Sequence, residues 1–220
     1  MSADASGSRY VPAAGHRALT RVYDPVMAVT MRERDWRPKL RDAVSASVPQ
    51  GGTFVDVGAG TGTLAIAFSA ARPDAIVIAV DGDDEALGIA RSKDGADRVE
   101  WTTGFAGELP FEDGAADAVA VSLLLHHLDT PAKLDALRDI HRILGPGGSI
   151  HVADWGKPRD PVIGAAFFAL RLIDGFSNTS AHAEGLIPGL LVEAGFGEPV
   201  ISDRLRTTWG SLELMSAGRG

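Results

Sequence analysis

Along most of the chain, short apolar runs bounded by glycine or charged residues alternate with longer stretches whose apolar positions recur every three or four residues. The runs TFVDV (53–57), AIVIAV (75–80), RVEWTT (98–103), AVAVSLL (118–124) and SIHVAD (149–154) read as strands. The stretches between them, at roughly 62–71, 83–93 and 130–144, read as helices. This βαβα order predicts an α/β fold with a doubly wound parallel sheet. After Asp154 the pattern changes: helices near 160–174 and 185–194 lead into PVISDRLRT and WGSLELMSA, spaced for an antiparallel hairpin at the sheet edge. Ahead of the first strand, Arg17–Val48 carries a helical pattern, with Pro25 and Pro38 expected to break it.

These signals divide the chain into a small, polar tail over residues 1–14 and a single domain over 15–220. Within that domain, about 15–48 forms an N-terminal helical cap, and about 159–190 stands where a substrate lid would be inserted. The chain has 220 residues, enough for one well-buried α/β domain and short for two.

Composition narrows the chemistry. The formal net charge is −8 and no Lys/Arg cluster stands out, so a nucleic-acid partner is not expected. With no cysteine, disulfides, thiolate metal sites and cysteine nucleophiles are excluded. MSADASGS lacks the apolar core of a secretory signal. VIGAAFFAL stops at Arg171, well short of a membrane span. The expectation is a cytoplasmic protein without membrane insertion, acting on a small molecule as a monomer or homodimer.

VDVGAGTG, after the first strand, carries the sharpest signal. Gly58, Gly60 and Gly62 give G-x-G-x-G, with Thr63 where the dinucleotide fingerprint needs its third glycine. Asp56 stands at the mouth of this turn, where a carboxylate repels a pyrophosphate and suits a cationic ligand. S-adenosylmethionine, with its ammonium and sulfonium, is such a ligand; capping of the turn is the plain alternative for Asp56. Asp81 ends the second strand, placed to accept both hydroxyls of a ribose, while Asp83 and Asp84 are better placed to start the helix that follows.

VDVGAGTGTLA, AVDGDDEAL, TTGFAGELPFEDGAADAVAVSLLLHHLDT and LRDIHRILGPGGSIHVADW together resemble the ordered motifs of class I S-adenosylmethionine-dependent methyltransferases. The likeness is to the small-molecule branch, the quinone-biosynthesis or type 11 group, and runs from about Tyr23 to Asp154. It implies a seven-stranded, mostly parallel sheet with a C-terminal antiparallel hairpin, and S-adenosylmethionine as cofactor. By resemblance, Asp56, Gly58, Gly60 and Thr61 line the methionine part, with Ala59 and Gly62 shaping the turn. Asp81 holds the ribose, Gly82 passes beside the adenine, Phe105 and Ala106 occupy the adenine edge, and Leu123 faces the cofactor. Tyr23 resembles the N-terminal tyrosine that covers the cofactor in several relatives, a core tyrosine being the alternative. Many relatives have Asp where Phe105 stands; Phe105 cannot accept from the adenine amine.

For the substrate, His126 and His127 follow the fourth strand, where a neutral imidazole takes a proton from an attacking group. His126 is the better-placed general base; two packing histidines are the alternative. His151, Asp154 and Trp155 are expected at the same carboxyl edge, Asp154 orienting a base or capping the turn before Gly156. His182 falls in a polar stretch and reads as a surface residue; no metal is expected. A nicotinamide dehydrogenase is disfavoured because neither Tyr10 nor Tyr23 has a lysine four residues on. The function implied is methyl transfer to oxygen or carbon of a fairly apolar metabolite, the alternative being a non-catalytic S-adenosylmethionine-binding module or partner subunit.

Overall fold

The computed structural model describes residues 30–220. The expected tail, Tyr23 and the first half of the expected cap lie outside them.

The described chain opens with α1 (Glu33–Ser47), which runs straight through Pro38. The expected break fails for a physical reason. Trp36, Leu40 and Val44 bury one face at i, i+4 and i+8, whereas Pro38 and Arg34, whose carbonyl loses its partner, lie on the exposed side. Alternation then follows: β1 (Thr53–Val57), α2 (Thr63–Ala71), β2 (Ile76–Asp81), α3 (Asp84–Arg91), β3 (Glu100–Thr103), β4 (Ala116–Ser122), α4 (Thr130–Ile143) and β5 (Leu144–Gly156). Asp83 caps α3 by accepting from the amides of Glu85 and Ala86, and Asp129 caps α4.

Three helices follow β5 where two are expected: α5 (Pro161–Asp174), α6 (Phe176–Glu184) and α7 (Ile187–Glu193). The hairpin β6 (Val200–Arg206) and β7 (Ser211–Gly218) closes the chain. Among the described residues, seven strands form one sheet in the order β3-β2-β1-β4-β5-β7-β6, with β7 antiparallel to both of its neighbours.

Strand alternation sorts the sheet's two faces. Val55, Val57, Val119, Val121, Ile150 and Val152 pack with Leu137 and Ile140 of α4 and Leu191 of α7. Phe54, Ala79, Ala120, Ala153 and Trp155 pack with Trp36 of α1, Phe68 of α2 and Phe167 of α5. Strand order reverses between β1 and β4, so the loops leaving their carboxyl ends frame the crevice where open α/β sheets bind ligands.

Candidate active site

Three glycines shape one wall of the crevice. Gly58, Gly60 and Gly62 have φ of 72°, 55° and 74°, a left-handed backbone that glycine adopts without a Cβ penalty. A Cβ on Gly58 would meet Leu124 Cδ2 at 2.8 Å, and one on Gly62 would collide with the Trp101 ring. A Cβ on Gly60 would meet nothing within 4 Å, so this backbone is open to a ligand. The turn is held from below: the amides of Gly58 and Ala59 donate to the Val80 carbonyl at 2.8 and 3.0 Å. Asp81 Oδ2 accepts from the Gly60 amide at 2.7 Å and Oδ1 from the Asp83 amide at 2.8 Å, leaving each oxygen a further lone pair. Thr61 accepts at its carbonyl from Lys93 Nζ. The half-exposed Phe105 ring lies against Gly82, where no Cβ would fit, and Ala106 beside it is partly buried.

Asp56 is placed differently from expectation. It lies beneath the turn instead of at its mouth, 1% exposed, in register with Ala79 and Ala120. Both carboxylate oxygens lack a hydrogen-bond partner among the described residues. Burial pushes its pKa up to about 7, opposed by Arg37 and reinforced by the nearby Asp81.

The second wall grows from the end of β4. Leu123 has φ 54°, a strained conformation for a branched residue, and its amide donates to the Ala153 carbonyl at 2.8 Å. This bend sets Leu124 over Gly58 and begins a 3₁₀ turn, Leu125–His127, in which the two histidines part company. His126 is buried and its Nδ1 lies 2.8 Å from Asp154 Oδ1; His127 is exposed, its ring 4.0 Å from that of His126. Asp154 also accepts from the amides of Leu125 and Trp155 at 2.9 and 2.8 Å. Burial alone would raise its pKa, but the imidazoles of His126 and His182 and these donors hold it well below the usual carboxylate range. An ionised Asp154 fixes the proton of His126 on Nδ1 and leaves Nε2 as acceptor. That nitrogen lies 3.9 Å from Asp174 Oδ2.

Two expectations need correction, and two residues of the site are new. His151 does not share the carboxyl edge: strand alternation turns it to the opposite face from Asp154, where its Nε2 meets Ser47 Oγ at 2.9 Å and Ser149 Oγ at 3.1 Å. Burial lowers its pKa to about 4, so it is a neutral packing residue. His182 is not on the surface. It sits on α6, fully buried, 3.5 Å from Asp154 Oδ1; among the described residues neither ring nitrogen has a hydrogen-bond partner, and burial lowers its pKa to about 3. Lys133, fully buried on α4, donates to the Leu128 carbonyl and, at 2.5 Å, to that of Asn178 on α6. Asp174, at the end of α5, is the other addition. Among the described residues, no group of three or more His, Asp or Glu is arranged to hold a metal ion.

Residues 54–148 match the family described as "Methyltransferase domain". The ubiquinone/menaquinone biosynthesis C-methyltransferase UbiE of Caulobacter sp. strain K31 is 34% identical over 150 residues, 62% of this chain and 58% of that protein. The chain thus spans only about half the length of the curated relatives it matches. In fold, it superposes on a Nostoc punctiforme protein named as a candidate O-methyltransferase with TM-score 0.69, 23% identity, and coverage of 91% of this chain and 58% of that one. A Thermotoga maritima S-adenosylmethionine-dependent methyltransferase superposes with TM-score 0.62 at 21% identity, covering 92% of this chain and 97% of that one.

Proposed function

We propose that this chain is a class I S-adenosylmethionine-dependent methyltransferase, which transfers a methyl group from S-adenosylmethionine to oxygen or carbon of a small, apolar, quinol-type acceptor. One observation carries the reading: His126, paired with the buried Asp154 of β5, leaves the end of β4 on the same bend that sets Leu124 against Gly58 of the glycine turn. A proton acceptor and a cofactor cradle therefore share one switch point.

The residues present fit the cofactor. The buried carboxylate of Asp56 favours a cation by its field, open backbone at Gly60 permits close approach, and Asp81 keeps lone pairs for ribose hydroxyls. When bound, S-adenosylmethionine supplies an electrophilic methyl on a sulfonium. Gly58, Ala59, Gly60, Thr61 and Gly62 would bear the methionine part, Gly82 and Ala106 the adenine, and Leu123 the side toward the acceptor. Phe105 offers a ring face where a hydrogen-bond acceptor is absent. Asp154 holds the Nδ1 proton of His126, and His126 Nε2 takes the proton of the acceptor's hydroxyl. Most of the acceleration comes from holding nucleophile and sulfonium together. Exposed Phe168, Leu172 and Ile173 on α5, the helix that ends in Asp174, give an apolar approach to the pair.

Calorimetry with S-adenosylmethionine, S-adenosylhomocysteine and NAD tests the cofactor assignment, and S-adenosylhomocysteine release with a panel of quinols, phenols and amines tests the acceptor. The first two ligands should bind and NAD much more weakly. Asp81→Ala should cost on the order of 2–4 kcal/mol of S-adenosylmethionine affinity, because two ligand hydroxyls lose a charged partner. Unchanged affinity in that variant sinks the ribose assignment, and release with amines alone sinks the quinol reading.

A further inference from the structure

We propose that Asp174 is a second catalytic base, which removes the ring proton from the carbon that has just received the methyl group; this rests on the reading of the acceptor as a quinol. Asp174 Oδ2 lies 3.9 Å from His126 Nε2, too far for a hydrogen bond, so when the imidazole is neutral the two are neighbouring acceptors, and when it has taken a proton they attract as an ion pair. Their side chains are 14% and 7% exposed. Among the described residues, the Asp174 carboxylate receives no hydrogen bond; its contact with α6 runs through its backbone carbonyl, which accepts from Asn178 Nδ2 at 3.1 Å. His126 is different, because its Nδ1 is committed to Asp154 and it has one acceptor nitrogen to offer.

Methylation of a hydroxyl requires one proton acceptor. Methylation of a ring carbon requires two, and a phenol oxygen and its ortho carbon are bonded neighbours of one ring, so both can be served by acceptors this close. His126 Nε2 takes the hydroxyl proton, and the oxygen's electrons strengthen the ortho carbon as nucleophile. That carbon forms a bond to the methyl group while the methyl–sulfur bond breaks, its electron pair remaining on sulfur. The methylated carbon still carries its hydrogen. Asp174 Oδ2 takes that proton, the C–H electron pair restores the aromatic ring, and the ring oxygen recovers its proton from His126. The sum is one methyl transferred and one proton left on Asp174, which is open enough to pass it to water. Burial raises the Asp174 carboxyl above its ordinary range, with His126 opposing and Asp154 reinforcing, which makes it a better base than an exposed aspartate.

The test uses the full chain with S-adenosylmethionine and 1,4-dihydroxynaphthalene, kept reduced, carrying protium or deuterium at the two ring carbons beside the hydroxyls. Wild type should methylate ring carbon with little isotope effect. Asp174→Asn should lower turnover about 10²-fold at unchanged S-adenosylmethionine affinity, and its reaction should now run slower with deuterium, because ring deprotonation limits the rate. Asp174→Glu should recover part of the rate and lose part of that isotope effect. Wild-type turnover in Asp174→Asn, or a slower reaction with no isotope effect, overturns the assignment. Methylation of the probe's oxygen by wild type overturns the second base and leaves methyl transfer standing. Turnover with other acceptor classes and none with the quinol overturns the acceptor reading, and this assignment with it.

Discussion

Asp56 shows how one side chain can be read twice. A buried carboxylate beneath the glycine turn, with no hydrogen-bond partner among the described residues, is costly to ionise, and its pKa stands near 7 against an ordinary 3.8. A folded-state value above the unfolded one contributes stability that is full below about pH 4 and is lost as pH rises through 7. Asp56→Asn should therefore stabilise the ligand-free chain by about 4 kcal/mol at pH 8, with the gain shrinking toward pH 4. Denaturant unfolding at several pH values measures this. Ligand binding runs the other way: a cationic ligand favours the ionised form. S-adenosylmethionine affinity should fall by up to about tenfold per unit as pH drops below 7, and the profile of Asp56→Asn should be flat in calorimetry. A flat wild-type profile would remove Asp56 from cofactor binding. The residue itself was legible from its place before G-x-G-x-G; its burial was not, because that depends on α1 and α2 closing over the sheet face.

At the scale of elements, α6 is where sequence and structure part. It is nine residues long, bounded by Gly175 and Gly185, the latter at φ 76°. Its anchorage is polar: Lys133 of α4 reaches the Asn178 carbonyl, Thr179 is fully buried, and His182 lies beside Asp154. A search for apolar periodicity passes over such a helix. One signal was present: Lys133 falls on the apolar stripe of α4 with Ala136, Leu137 and Ile140, where a charge needs buried partners. Burial lowers its pKa to about 8, with Asp154 and Asp129 opposing. Lys133→Met fills the same space but removes the hydrogen bonds to the Leu128 and Asn178 carbonyls, and should cost about 1–3 kcal/mol. Amide exchange should quicken first across 176–184. Uniform exchange over the whole chain would mean that Lys133 does not dock α6.

At the scale of the molecule, the strands and the edge hairpin were legible because each carries its own period and turn residues, and β3-β2-β1-β4-β5-β7-β6 follows the doubly wound pattern. The assembled site was only partly legible. His126 and Asp154 come from the ends of adjacent strands and follow from the sheet, whereas Asp174 and His182 depend on how three helices fold back after β5. His151 shares the strand with Asp154 but is three residues away, so side-chain alternation turns it to the opposite face, toward Ser47 and Ser149. No helix of the described residues is long and apolar enough to cross a membrane. In the function proposed above, this crevice would transfer a methyl group from S-adenosylmethionine to a quinol with His126 as base. Single-turnover transfer of a ¹³C-methyl group to reduced 1,4-dihydroxynaphthalene, by wild type and His126→Ala, tests it most directly. The label should appear on the acceptor, and His126→Ala should transfer it about 10²–10⁴-fold more slowly at nearly unchanged S-adenosylmethionine affinity. Tight cofactor binding with no label on the acceptor, or a wild-type rate in His126→Ala, would contradict the account.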